Sequence, residues 1–264
     1  MTDPPVEVLG RRVRLVDLSH PLGATPSEPV PPHVQRLDHA DGAGAWEALY
    51  GIPRDALPGG HGFAGETFDR LSTHAGTHVD APWHYAPVAG DAPAPTIDEV
   101  PLGWCLGPLV VLDVSDLPAG HEVALADVDE RLDRLGHPLR AGDVVALFTG
   151  AERAWGTEGF WELGCGLGRE AVLGLVERGV RAIGTDAWSL DRPYPLIGAE
   201  WRERGEPAAL WPAHFAGIER AYLQLEKLAN LATIPAAGAT IVAFPVKVER
   251  GSGAWTRAVA LVPA

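Results

Sequence analysis

One eleven-residue segment of the chain carries three histidines and an aspartate: His74, His78, Asp80 and His84. His74 and His78 lie four residues apart, and Asp80 follows two residues later. Imidazole and carboxylate groups together suit Zn²⁺ or Mn²⁺, and a protein site for either ion needs about three or four such ligands. The segment therefore predicts a metal site. The alternative at this point is a histidine-rich loop corner held together by hydrogen bonds.

The spacing of these residues does not fit a helix. Gly76 and Pro82 both disfavour a helix interior, so we interpret the segment as a tight turn followed by an extended stretch. Side chains alternate along an extended chain, which places His78, Asp80 and His84 on one side. The turn would bring the first histidine of the segment back toward them, so that all four side chains converge.

The rest of the chain alternates strand patterns with helix patterns. Apolar runs and periodicities predict strands over 12–18, 109–114, 144–148, 180–184, 240–244 and 255–261, and helices over 125–135 and 169–178. Residues 19–65 are rich in Pro, Gly, Asp and His, and they predict long surface loops with short elements, of the kind that often form lids. Residues 1–10 are predicted to be a flexible tail. Because no linker or repeat interrupts residues 11–264, we expect one α/β catalytic domain there.

The composition excludes several classes of function. A net charge of −14 argues against nucleic acid as a partner, because phosphate binding needs a basic surface. No run approaches the roughly 18 apolar residues of a membrane span, so no membrane partner is expected. The N-terminal region lacks the apolar stretch of a signal peptide, which predicts a cytoplasmic location. The expected partner is a small-molecule substrate.

The ligand segment resembles the signature of the "putative cyclase" family, which includes bacterial kynurenine formamidases, isatin hydrolases and cyclases of aromatic polyketides. The match has no gap at seven fixed positions: His74, Gly76, Thr77, His78, Asp80, Pro82 and His84. The resemblance continues through residues 17–22, 142–150, 184–191, 226–231 and 244–247. It implies a single-domain swivelling β/β/α fold with a mixed sheet.

The resemblance also implies a ligand set. His74, His78 and Asp80 would hold one divalent metal, Zn or Mn. In two-metal members of the family, Asp80 would also reach a second ion held by residues that match His214 and Glu226 here. The resemblance further implies a homodimer or a homotetramer.

The separation of His214 and Glu226 sets a condition on the local fold. In a single helix, twelve residues at a rise of about 1.5 Å would place them roughly 18 Å apart, too far to share an ion. We therefore predict a helix from 212 that stops near Arg220 and a strand over 222–226. Even-numbered side chains of that strand would face one side, and the leucines between them the core. The alternative is an exposed Glu226 on one continuous helix.

Three further residues are candidates for substrate contact. Trp83 lies between the presumed ligands and is predicted to wall an aromatic pocket. His20 follows the first strand, where a loop residue could line the pocket. Asp186 follows a buried strand, where either Asp186 or Asp191 is expected to cap the turn.

By the resemblance, His84 would act as general acid and base beside the metal, a role that a neutral imidazole performs well near pH 7. With water as nucleophile the reaction would be hydrolysis of a formamide or a cyclic amide. With a substrate enolate it would be an aldol-type ring closure and dehydration. The long segment before the motif favours a cyclase of an aromatic polyketide, as does the block over 81–113, which resembles the long-form members of the family; these include polyketide cyclases and also isatin-hydrolase-like enzymes. An Ala-, Gly- and Arg-rich composition typical of antibiotic-producing actinomycetes points the same way. The second hypothesis is an amide hydrolase, and the third is a non-catalytic scaffold of the same fold.

Overall fold

The computed structural model describes residues 4–264. The strands are β1 (Val6–Val8), β2 (Arg11–Asp17), β3 (His33–Leu37), β4 (Gly65–Arg70), β5 (His78–Asp80), β6 (Val88–Ala89), β7 (Ala92–Pro93), β8 (Leu106–Asp113), β9 (Glu122–Val123), β10 (Val144–Phe148), β11 (Gly166–Leu167), β12 (Ala182–Thr185), β13 (Leu223–Glu226), β14 (Ala239–Val242), β15 (Gly253–Trp255) and β16 (Val259–Pro263). The helices are α1 (His39–Tyr50), α2 (Pro82–Tyr85), α3 (Leu125–Leu135), α4 (Arg169–Glu177), α5 (Tyr194–Arg204) and α6 (Pro212–Ala216). Short 3₁₀ turns lie at Arg54–Ala56, Pro58–Gly60, Leu102–Trp104, Ala151–Ala154, Phe160–Glu162, Pro207–Ala209 and Leu231–Thr233. Within 4–264, every helix is too short or too polar to cross a membrane.

One mixed sheet of ten strands organises the fold, in the order β1-β2-β16-β14-β8-β10-β12-β13-β5-β15. The central strands β8, β10, β12 and β13 run parallel, and the pairs on either side of them are antiparallel. Parallel strands with both faces covered have continuous apolar sequences, and every residue of β10 is buried. The mixed sheet confirms the predicted α/β class.

Two apolar cores lie on opposite faces of this sheet, because successive side chains of a strand point to opposite sides. Leu109 and Val111 of β8 belong to one core. Val110 and Leu112 belong to the other, which also takes in apolar residues of α3, α4 and α6. The sheet therefore forms a rigid platform between two packed layers, and the ligand strand β5 is part of it.

Most of the predicted elements are confirmed. Strands β2, β8, β10, β12 and β14 and helices α3 and α4 lie within three residues of their predicted bounds. Helix α6 followed by β13 confirms the helix-then-strand prediction for 212–226. The predicted strand over 255–261 is instead split between β15 and β16, because β15 pairs with β5 whereas β16 pairs with β2 and β14.

Two expectations near the N-terminus are corrected. Val6–Val8 forms β1 and pairs antiparallel with β2, so the flexible tail predicted for 1–10 is wrong for these residues, whose main chain completes an edge of the sheet. Residues 1–3 of that tail lie outside the described range. Residues 19–65, predicted to be long surface loops with short elements, contain the short strand β3 and the helix α1, whose twelve residues exceed such an element. Asp38 caps α1 by accepting hydrogen bonds from two main-chain amides, and Gly51 ends the helix at a φ of +66°.

Candidate active site

The predicted ligand segment enters the sheet through a glycine turn. Gly76 has a φ of +61°, a left-handed conformation that favours glycine, and this turn places His74 beside the strand that follows. Strand β5 lies between β13 and β15. In the antiparallel register with β13, His78 is opposite Glu226. Strand pairing therefore brings two residues that are far apart in sequence to the same place.

The extended stretch predicted through His84 ends at Asp80. Pro82 begins the single helical turn α2, where its fixed φ and missing amide are tolerated. His84 reaches the site through this helical turn, and not through strand alternation as predicted. Its ring centroid lies 4.2 Å from that of His74.

Asp80 is at the centre of the site. Its Oδ1 lies 2.6 Å from Nδ1 of His74 and 3.1 Å from Nε2 of His78. Glu226 contributes Oε2 at 3.5 Å from the same nitrogen of His78. These side chains form the first group of potential ligands, and one ligand atom each of His74, His78 and Asp80 lies within 4.8 Å of the others.

A second group shares the same aspartate. Asp80 Oδ2 lies 3.9 Å from Nε2 of His214, and potential ligand atoms of Asp80, His84 and His214 also lie within 4.8 Å of one another. The structure thus brings together all six residues that the resemblance implies for metal binding and proton transfer. It places His84 within ligand distance of the second group, so geometry alone leaves both roles open to this residue.

The donor atoms fit a divalent cation. His78 Nε2 and Asp80 Oδ2 are buried, and neither has a hydrogen-bond partner among the described residues. Leaving such groups unpaired is costly, and an ion that accepts their lone pairs would remove that cost. The mixture of imidazole and carboxylate donors suits Zn²⁺ or Mn²⁺.

Hydrogen bonds orient the histidine rings toward this position. His78 Nδ1 donates to the carbonyl oxygen of Gly76 at 2.8 Å, which leaves the Nε2 lone pair facing Asp80. His214 Nδ1 donates to Asp191 Oδ2 at 2.5 Å, which in the same way turns its Nε2 toward Asp80. Such carboxylate–histidine pairs fix the tautomer and raise the basicity of metal ligands.

The protonation of the ligand cluster reflects burial and mutual charge. Burial opposes ionisation of Asp80, but the electrostatic influence of the neighbouring His78 and the hydrogen bond with His74 hold its pKa well below the usual range. Burial and the charge of Asp80 raise the pKa of Glu226. Burial alone would lower the pKa of His214, but the hydrogen bond to Asp191 and the negative charges of Asp191, Glu226 and Asp80 together outweigh it and raise the pKa to about 9. Without a metal, the site is a set of coupled charges that a cation would reorganise.

His84, in contrast to His214, has a lowered pKa. Its ring opens onto a cavity, yet neighbouring side chains displace much of the surrounding water, and this desolvation lowers its pKa to about 4. The ring is therefore neutral near pH 7 and can accept a proton.

The cavity above these groups has a volume of about 500 Å³. His74, His84, His214 and Glu226 lie at its base. Its walls are largely aromatic and apolar, formed by Trp161, Trp188, Tyr194, Pro29 and Val30. Apolar walls with a few convergent polar groups are typical of small-molecule sites.

Of the three predicted substrate contacts, the structure brings none to this cavity. Trp83 is about half exposed and lies outside the wall. His20 stacks on Trp155 with ring centroids 4.2 Å apart, and it lines a separate cavity beside Thr77. Asp186 is fully buried, and it caps the turn over 149–152, where its two carboxyl oxygens accept hydrogen bonds from the main chain and from Thr149.

Sequence reasoning missed several residues that support the site. The sequence predicts a turn cap or a substrate contact at Asp191, whereas in the structure Asp191 accepts hydrogen bonds from the main-chain amides of Ala213 and His214 and from the His214 ring. Ser252 Oγ lies 2.9 Å from His74 Nε2. Both residues are distant in sequence from the histidines that they touch, so local spacing carries no signal for them.

Several known proteins resemble this chain in sequence and in fold. An isatin hydrolase of Roseibium aggregatum is 29% identical over 202 residues, which cover 73% of each chain. A kynurenine formamidase of Salinibacter ruber is 30% identical over 191 residues, 72% of this chain and 76% of the relative. The solved structure of isatin hydrolase A from Ralstonia solanacearum has a TM-score of 0.72 at 26% identity and covers 95% of this chain and 92% of that one.

A family model described as "Putative cyclase" matches residues 16–192, which is more than half of the chain. That range includes the ligand segment and ends just beyond Asp191. The family implied by the motif is thereby confirmed, and the chain belongs to the "Putative cyclase" family.

Proposed function

We propose that this protein is a metal-dependent hydrolase that opens the amide bond of a small aromatic amide of the isatin or N-formylkynurenine type. One observation carries the proposal: the His84 ring lies 4.2 Å from His74 and 5.4 Å from His214, and these residues line a cavity with Trp161, Trp188 and Tyr194. Flat aromatic substrates suit walls of this kind. The names of the relatives, isatin hydrolase and kynurenine formamidase, support hydrolysis as the reaction.

The residues that would hold the metal are His74, His78 and Asp80, with Glu226 close to His78, and His214 would be available to a second ion that shares Asp80. Zn²⁺ and Mn²⁺ both suit these donors. When bound, a divalent cation supplies Lewis-acid polarisation of a substrate carbonyl and stabilises the negative charge that develops on its oxygen.

His84 would then handle the proton. As water adds to the amide carbon, His84 accepts a proton from it, and as the carbon–nitrogen bond breaks, His84 returns that proton to the leaving nitrogen. The products are a carboxylic acid and an amine, joined in one molecule when the substrate is a cyclic amide. The apolar walls limit the access of bulk water to the reacting groups.

The relatives support a hydrolase over a polyketide cyclase, since those named are an isatin hydrolase and kynurenine formamidases. Of the long segment before the motif, Glu28, Pro29 and Val30 line the cavity. Residues 31–71, which comprise α1, β3, β4 and the turns between them and are here called the ribbon segment, do not line it. We therefore propose hydrolysis in place of the ring closure expected from the sequence.

The test is turnover by the purified protein loaded with Zn²⁺ or Mn²⁺. Isatin, N-formylkynurenine and an aromatic polyketide intermediate are offered separately, and loss of the amide chromophore or formation of a new ring is followed by absorbance and mass spectrometry. We expect hydrolysis of at least one amide and its loss with chelator. Ring closure of the polyketide without hydrolysis of either amide would contradict the proposal.

We also propose that the chain assembles as a homodimer or a homotetramer. The support is the ribbon segment, whose two strands have little buried surface and which exposes Leu37, Leu49, Tyr50 and Phe63. Apolar side chains concentrated in this way favour burial against another surface. Light scattering after size exclusion gives the mass directly, and a monomer at micromolar concentration would contradict this proposal.

A further inference from the structure

Two oppositely charged side chains, Glu28 and Lys227, are buried directly behind the ligand segment. The Lys227 side chain is 2% exposed and that of Glu28 is 7% exposed, and Nζ lies 2.7 Å from Oε1. Charges are rarely buried this deeply unless they are paired and fully hydrogen-bonded. The pair is not among the ligands or proton carriers of the site, although both residues border the cavity.

The pair holds the main chain on both sides of Ala75. Lys227 Nζ donates to the carbonyl oxygen of His74 at 2.9 Å. The amide of Gly76 donates to Glu28 Oε1 at 2.8 Å. The residue that follows Glu226 thus fixes the backbone of His74, and Glu28 fixes the turn that leads from His74 into the ligand strand.

Lys227 is itself held firmly. Its φ is +57°, an uncommon conformation for a residue with a side chain, and such conformations persist only where the surroundings impose them. Its carbonyl oxygen accepts from Thr77 Oγ1 at 2.5 Å, and its amide donates to the oxygen of Ala187 at 3.1 Å. The ammonium group also lies 4.9 Å from the ring centroid of Trp188, which forms part of the cavity wall.

Glu28 is anchored from the other side. The neighbouring Ser27 is fully buried, and its Oγ accepts from the amide of Gly156 at 2.8 Å and donates to the oxygen of Thr157 at 3.1 Å. Glu28 is therefore fixed independently of Lys227. The ion pair joins three separate parts of the chain at the ligand turn.

We propose that the Glu28–Lys227 ion pair is a positioning device for the metal ligand His74, and that it sets the affinity of the metal site. The proposal rests on the metal site of the proposed function but not on its substrate. Measuring metal affinity instead of turnover keeps the two apart. A wrong substrate assignment would leave the test intact, and a wild-type protein that binds no metal would overturn the metal site itself.

The test compares Glu28→Gln, Lys227→Met and the double variant in the full-length protein. Each is stripped of metal and titrated with Zn²⁺ in competition with a chromophoric chelator. Supports of a metal ligand typically contribute about 10- to 100-fold in affinity, so each single variant should bind Zn²⁺ at least about tenfold more weakly. The double variant should lose no more Zn²⁺ affinity than the single variant that binds Zn²⁺ more weakly, because the two residues act as one unit.

The matched control is Glu200→Gln. Glu200 also pairs with a mostly buried cation, Arg192, through bonds of 2.9 and 2.7 Å, but it touches no residue of the ligand segment. The Zn²⁺ affinity of the Glu200→Gln variant should equal that of the wild type. Wild-type affinity in both single variants, or losses that simply add in the double variant, would overturn the proposal.

Folding defects are separated from positioning by the visible spectrum of the Co²⁺-loaded proteins. The band positions report the geometry of the ligands, and a protein that is merely less stable gives the wild-type bands from its folded fraction. We expect shifted bands in Lys227→Met and unchanged bands in Glu200→Gln. The double variant, which buries no unpaired charge, provides a folded sample if the single variants unfold. Unshifted bands in both Lys227→Met and the double variant would overturn the proposal.

Discussion

The ligand segment 74–84 and the ribbon segment 31–71 are near neighbours along the chain but differ in physical character. The ligand segment crosses the main sheet, and His78, Val79 and Asp80 are almost completely buried. The ribbon segment pairs only β3 with β4, and most residues of both strands are exposed. In the ligand segment, His74, Thr77 and His78 have defined hydrogen-bond partners. In the ribbon segment, large apolar side chains are exposed: Leu37, Leu49, Tyr50 and Phe63. The ligand segment therefore carries the groups that can react, and the exposed apolar side chains of the ribbon segment suit burial against another surface.

The largest effect is expected for Asp80→Ala, because Asp80 lies within reach of ligand atoms from three histidines. Loss of this carboxylate should lower metal affinity by more than the roughly 100-fold typical of supporting residues, and turnover should fall with it. Metal content after dialysis and chelator competition measure the change. Asp69→Ala is the control from the ribbon segment, since Asp69 bonds only to exposed partners there. Stoichiometric metal in Asp80→Ala would contradict the assigned centre.

His84→Ala should give the next largest effect, and it tests which of two roles this residue has. As a proton carrier, its loss should lower kcat by about 10²- to 10⁴-fold while the metal stays bound. Metal analysis and kcat are measured on the same preparation, with His33→Ala in the ribbon segment as the control. If His84→Ala loses as much metal as Asp80→Ala, then His84 is a ligand in the second group with Asp80 and His214.

The contrast between the two regions also explains how far the sequence was informative. Buried parallel strands need unbroken apolar runs, so β10 could be recognised from its composition, and the requirement that His214 and Glu226 approach each other predicted the change from α6 to β13. In α1, by contrast, local capping by Asp38 and Gly51 defines a helix whose glycines and alanines carry no clear apolar period. Asp191, Ser252 and the Glu28–Lys227 pair act through contacts between distant parts of the chain, which no single-sequence pattern encodes.

A smaller, pH-dependent effect is expected from Asp191→Asn. In the metal-free protein, burial lowers the pKa of His214, but the hydrogen bond and charge of Asp191, with smaller contributions from Glu226 and Asp80, raise it from 6.5 to about 9. A raised pKa contributes stability that is fully present below pH 6.5 and is lost as the pH rises through about 9. The free energy of unfolding of the metal-free wild type should thus fall across this window, by on the order of 1–3 kcal/mol. Asp191→Asn should flatten that dependence, as urea titrations at several pH values would reveal.

When a metal binds to His214, the imidazole must first lose its extra proton, because only the neutral ring offers a lone pair. Zn²⁺ binding at pH 7.5 should release a proton from His214. Calorimetry in two buffers with different ionisation enthalpies measures this release, and Asp191→Asn should release less. Equal release by both proteins would mean that Asp191 does not control the protonation of His214.

The smallest effect on folding is expected in the ribbon segment, and it completes the contrast. Leu49 is 73% exposed, so Leu49→Ser should change the unfolding free energy by less than about 0.5 kcal/mol. Leu225 of β13 is almost fully buried, and Leu225→Ala should cost about 2–5 kcal/mol. Measured well below the concentration at which subunits associate, the unfolding free energies of the two variants should differ by at least about 1.5 kcal/mol. At higher concentration, Leu49→Ser should weaken assembly if the ribbon segment lies in a subunit interface, because the stability of an oligomer depends on subunit concentration. A large loss of stability at low concentration would mean that the ribbon segment is packed against the body of its own chain.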